Sequence, residues 1–84
     1  MKNLYLDELV RQLNACTTDA ELLQFLQGIL TPKELEEIPK RLQIIKMLKK
    51  GVPQRQIAST LEIGIATVTR GSRELQKGSF SNIQ

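Results

Sequence analysis

The sequence predicts an all-α fold, a small helical bundle ending in a helix-turn-helix. Three observations carry this expectation. Apolar residues recur at three- and four-residue spacings through most of the chain. Helix-start signals, a threonine followed three residues later by glutamate or a proline at a first helical position, alternate with glycine stop signals. No segment shows the two-residue alternation of a half-buried strand. The 84 residues suffice for one domain, expected over 1–77, with 78–84 as a polar, flexible tail.

The first helix is expected over Leu4–Ala15, where Leu6, Leu9, Val10 and Leu13 share a face. Thr17 and Thr18 interrupt it, and Thr18 with Glu21 forms a capping box that opens a second helix. That helix carries Leu22, Phe25, Leu26 and Ile29 on one face, with Leu23 and Leu30 beside them. So wide an apolar surface exceeds what one neighbour covers in a small protein, so residues 1–30 are read as dimerisation helices. Gly28 weakens the helix end. Thr31 to Glu34 gives a second capping box with Pro32 at the first helical position, opening a short acidic helix to about Ile38. Pro39 is expected to break it, since proline lacks an amide donor and clashes with the preceding turn. A further helix over 41–50 places Ile44, Ile45, Met47 and Leu48 inward and ends at Gly51.

The segment QRQIASTLEIGIATVTRGSREL at 54–75 is read as the helix-turn-helix, within a unit spanning 53–76. Pro53 starts the first helix, whose buried side is Ile57, Ala58 and Leu61. Glu62, Ile63 and Gly64 form the turn, and the last helix runs from Ile65 to about Gln76. At about 100° per residue, Val68 and Leu75 point to the core, while Ala66, Thr69, Arg73 and Lys77 fall opposite. Small residues let a helix sink into a major groove, and Ala and Thr side chains can meet thymine methyls. The DNA-contacting set is therefore Gln54, Arg55, Ile65, Ala66, Thr69, Ser72 and Arg73. Glu62 stands where many such motifs place glycine; if it takes a left-handed conformation the cost is about 1 kcal/mol, unless Gly64 absorbs the angle.

Charge supports a polyanion partner. Residues 1–37 hold three Lys and Arg against seven Asp and Glu, whereas 38–84 hold nine against two, for a net +3. With no histidine and only Cys16, neither a zinc site nor an internal disulfide is expected, and Cys16 is read as a small buried apolar residue in a reducing compartment. No apolar run reaches membrane-spanning length and no signal peptide is apparent, so a cytoplasmic protein is expected. No metal is expected. The absence of a phosphate-binding glycine loop and of a nucleophile-base pair argues against an enzyme.

The string GIATVTRGS at 64–72 closely resembles the recognition-helix signature of the tryptophan repressor family. LTP at 30–32 and RLQII at 41–45 match that family in order and spacing, and the similarity runs from about Ile29 to Lys77. The resemblance implies an all-helical intertwined homodimer of bacterial origin that represses transcription at a double-stranded DNA operator when it binds L-tryptophan as corepressor. It implies that Arg41 and Arg70 sandwich the indole, and that Thr31 and Thr67 help hold the ligand carboxylate with Arg70. Backbone carbonyls of Gly28 and Leu30, from the partner subunit, would receive the ammonium. Gly71 would leave room for the ring and Ile45 would line the pocket.

The residues depart from the family pattern in places. Glu74 stands where the family has a serine near the ligand ammonium, and it could pair with that ammonium or with Arg70. Ala58 replaces a DNA-facing lysine, Ile63 replaces a small turn residue, and GSFSNIQ at 78–84 replaces the helix that usually follows. Two other readings stay open: a DNA-binding protein of this type with a different ligand or none, and a protein-interaction adaptor that does not bind DNA.

Overall fold

The computed structural model describes residues 3–83, which form five helices and no strand. They are α1 (Leu4–Ala15), α2 (Asp19–Ile29), α3 (Pro32–Lys49), α4 (Gln54–Leu61) and α5 (Ile65–Gln76). The chain divides into two compact units, Met1–Leu35 and Glu36–Gln84.

In the first unit, local polar contacts fix the helix starts. The Asn3 side chain accepts from the Leu6 amide at 3.1 Å and caps α1, a signal the hydrophobic pattern does not reveal. Thr18 caps α2 by accepting from the Glu21 amide at 3.1 Å. The reciprocal arm differs from the expected box: Glu21 accepts from the amide and hydroxyl of Thr17, one residue further back. Among the described residues, neither α1 nor α2 contains a buried side chain. Leu4, Tyr5, Leu6, Val10, Leu23 and Ile29 are exposed. Cys16 is half-buried rather than buried, with its thiol directed at the Gln12 carbonyl.

The capping box at the start of α3 is complete. The Glu34 amide donates to the Thr31 hydroxyl at 3.2 Å, and the Thr31 amide donates to the Glu34 carboxylate at 2.9 Å. The Thr31 amide first, and then the Thr31 side chain, hold the Glu34 carboxyl below the usual glutamate range. The expected break at Pro39 does not occur; α3 is one helix with Pro39 inside it. Proline removes a single amide donor, a loss of about 3 kcal/mol or more. The capping box nucleates the helix before it, and burial of Ile44 and Ile45 anchors the helix after it.

The second unit closes on Ile44, Ile45, Ile57 and Val68, all buried. Met47, Leu48, Ala58, Leu61, Ile63, Leu75, Phe80 and Ile83 pack against this core at partial exposure. α4 packs on α5, and three chain reversals share one design. After α3, the Val52 amide bonds to the Met47 carbonyl at 3.1 Å and the Gly51 amide to Leu48 at 3.0 Å. After α4, the Ile63 amide bonds to Ala58 at 3.0 Å and the Glu62 amide to Ser59 at 3.3 Å. After α5, the Ser79 amide bonds to Glu74 at 3.3 Å and the Gly78 amide to Leu75 at 3.1 Å. Each is a Schellman motif, which demands a left-handed residue at its centre. Gly51 and Gly78 supply it at φ 81° and 87°, but Glu62 must adopt φ 56° with a full side chain. Gly64 does not relieve it, having φ −68°.

Candidate functional site

α5 carries two sets of side chains on different flanks. Val68 is buried and Leu75 half-buried, which fixes the rotation of the helix against the core. That rotation turns Thr67, Arg70, Gly71 and Glu74 toward α3. With Ile38, Arg41, Leu42, Ile44 and Ile45 from α3, and with Ala66 and Phe80, they line a cavity of about 590 Å³. This volume lies in the range of small-molecule sites, and a mostly apolar lining with a few convergent polar groups is their usual composition.

Six residues assigned to a ligand from the sequence meet at this cavity: Arg41, Ile45, Thr67, Arg70, Gly71 and Glu74. Gly28, Leu30 and Thr31 belong to the other unit. The Thr31 hydroxyl accepts from the Glu34 amide, as a helix cap. Glu74 does not pair with Arg70. Its carboxylate accepts from the Lys77 ammonium at 3.4 Å and the Ser79 hydroxyl at 3.2 Å. Among the described residues, no carboxylate engages either the Arg41 or the Arg70 guanidinium.

Gly71 has a packing role that its position in the sequence does not disclose. A Cβ there would lie 2.9 Å from Ile44 Cγ2 and 3.4 Å from Ile45 Cδ1. The missing side chain thus lets α5 approach α3 closely enough for the two helices to wall one cavity.

On the other flank, Ile65, Ala66 and Arg73 are exposed and Ser72 is half-buried, and Arg55 on α4 is exposed as well. Gln54 and Thr69 are half-buried and joined: the Thr69 hydroxyl lies 2.9 Å from Gln54 Oε1 and 3.0 Å from the Ile65 carbonyl. The two side chains read separately from the sequence as DNA contacts therefore bind each other and tie α4 to α5. With its carbonyl oxygen satisfied, Gln54 keeps its NH2 group for an outside acceptor. Ala66 stands on the border between the flanks, exposed yet lining the cavity.

Sequence reasoning missed Ile38, Leu42 and Phe80 as cavity residues. Ile38 and Leu42 sit one turn apart beside Arg41, a signal obscured by the expected break at Pro39. Phe80 carries no periodic signal at all. Among the described residues, no group of acidic, cysteine or histidine side chains is arranged to hold a metal ion, and no helix is long and apolar enough to cross a membrane.

Comparison with known proteins places the chain. The family model described as Trp repressor protein matches residues 5–82. A Trp operon repressor homolog of Vibrio campbellii is 37% identical over 73 residues, covering 86% of this chain and 73% of that protein. A homolog of Vibrio vulnificus is 49% identical over 52 residues, covering 61% of this chain and 51% of that protein. One of Vibrio cholerae is 46% identical over 55 residues, covering 64% and 53%. The chain thus spans between half and three quarters of the length of these relatives. No solved structure matches it significantly. The chain belongs to the Trp repressor protein family, a family of DNA-binding regulators and not of enzymes.

Proposed function

We propose that this protein is a dimeric transcriptional repressor whose affinity for operator DNA is set by L-tryptophan. The observation that carries the reading is the division of labour on α5. One flank faces a cavity where Arg41, Arg70, Thr67 and Gly71 converge, and the other presents an exposed Arg73, with Arg55 exposed on α4. Guanidinium planes stack on aromatic rings, and an arginine binds a carboxylate through two parallel hydrogen bonds. A ligand with an aromatic ring and a carboxylate matches both capacities. Filling the cavity would fix α5 against α3 and thereby the presentation of its outer flank. The coupling arises because the ligand prefers the DNA-competent arrangement.

The basic half of the chain supports a polyanion partner, and the exposed apolar faces of α1 and α2 support a second copy as the dimer partner. The relatives are named Trp operon repressor homologs, which agrees with repression. A carboxylate at Glu74 favours a second reading, in which the same cavity takes a more cationic ligand.

One titration tests the proposal. The chain has no tryptophan and one tyrosine, so the indole fluorescence of added L-tryptophan reports on the ligand almost alone. The expected result is saturation at one ligand per chain, lost in Arg70→Ala, with operator binding that strengthens on adding L-tryptophan and weakens steeply with salt. Operator binding that ignores tryptophan would move the reading to a different ligand or none.

A further inference from the structure

The segment that follows α5 is polar apart from Phe80 and Ile83, yet it does not run away from the body. Gly78 turns the chain at φ 87°. The Ser79 hydroxyl then donates to the Glu74 carboxylate at 3.2 Å, and Glu74 itself lines the cavity. From the far end of α3, the Lys49 ammonium donates to the Phe80 carbonyl at 2.6 Å and also to the Ile83 carbonyl. Phe80 and Ile83 pack on the core, and Phe80 is half-buried in the wall of the cavity.

We propose that residues 78–83 form a strap that completes the ligand site, with Phe80 as its aromatic wall and Lys49 as its anchor. The inference deepens the tryptophan reading and rests on it. An aromatic ring in a mostly apolar cavity adds contact with another planar ring, worth more than the area it covers. The strap is held by few bonds, so its docking is a local equilibrium. A ligand that touches Phe80 binds better when the strap is docked, and by reciprocity it strengthens the docking. Phe80 thereby selects aromatic ligands over aliphatic amino acids of similar charge.

The test is the same fluorescence titration on the full chain with four variants. Phe80→Ala is expected to weaken L-tryptophan about tenfold, with Phe80→Leu intermediate. Lys49→Met, which keeps the aliphatic stem but removes the donors, is expected to weaken it about threefold. Arg70→Ala is expected to abolish binding. Helical content by circular dichroism identifies any variant that fails to fold, and Phe80→Leu then carries the test. In parallel, the amides of 79–83 are expected to gain hydrogen-exchange protection as tryptophan saturates the wild type. Wild-type affinity in both Phe80 variants, with binding still lost in Arg70→Ala, would overturn the strap and leave the tryptophan site standing. No saturable signal from the wild type would overturn both.

Discussion

Glu36–Gln84 closes on four buried side chains, whereas Met1–Leu35 holds two capped helices with no buried residue among those described. The first unit starts α1 and α2 on side-chain caps, whereas α4 and α5 in the second start without a side-chain cap hydrogen bond. The units also differ in where the apolar faces go. In the second unit Ile44, Ile45, Ile57 and Val68 meet one another within a single stretch of chain. In the first, Leu23 is 54% and Ile29 53% exposed, on a helix whose sequence is strongly apolar. The contrast teaches that helix formation and helix burial are separate problems. Caps and periodicity solve the first locally, while the second requires a surface that this unit's own residues do not provide. Under the proposed function that surface is a second copy of the chain.

The contrast can be broken at its strongest point. Ile57 is fully buried, so Ile57→Ala is expected to destabilise the protein by about 2–5 kcal/mol, read from urea unfolding. A loss below 1 kcal/mol would mean the second unit does not depend on its core. Dilution sharpens the other side. If folding is coupled to dimerisation, apparent stability is expected to fall by about 1.4 kcal/mol per tenfold dilution. Leu23→Glu should remove that dependence and halve the mass in sedimentation. A melting temperature indifferent to concentration would show that the faces of α1 and α2 need no partner.

Smaller effects probe the ends of helices. Glu62→Gly removes a left-handed strain that the glycines at 51 and 78 avoid, and should stabilise the second unit by about 1 kcal/mol. No gain would mean the turn relaxes around the glutamate. The smallest effect lies in the Thr31–Glu34 box. The Glu34 carboxyl is lowered in the folded state, so its contribution is complete above the unfolded pKa and fades as pH falls through the folded value. Carboxyl NMR should find Glu34 titrating below the usual glutamate range, and Thr31→Ala should return it toward that range.

Much of the fold was legible because its determinants are local. The bounds of α1 and α5 follow directly from apolar spacing and flanking stop signals, and they agree with the structure. The inward sides of α3 and α4 follow likewise. Pro39 misled because a proline's cost is local while the forces that overrule it, the cap at Thr31 and the anchor at Ile44 and Ile45, act from both sides. At the candidate site, one flank of α5 was legible from its 100° rotation. The rest was not, because it depends on distant approach. No pattern pairs Gly71 with Ile44 or Gln54 with Thr69, and none sends Lys49 to carbonyls some thirty residues away.

Ala66 stands where the cavity and the outward flank of α5 meet. Under the proposed function, inheritance at this position is shared between two traits. A larger side chain chosen for a new operator would also intrude on the ligand's space, and one chosen for a new ligand would alter the surface offered to DNA. Lineages that change one specificity would therefore have to accept, or repair elsewhere, a change in the other.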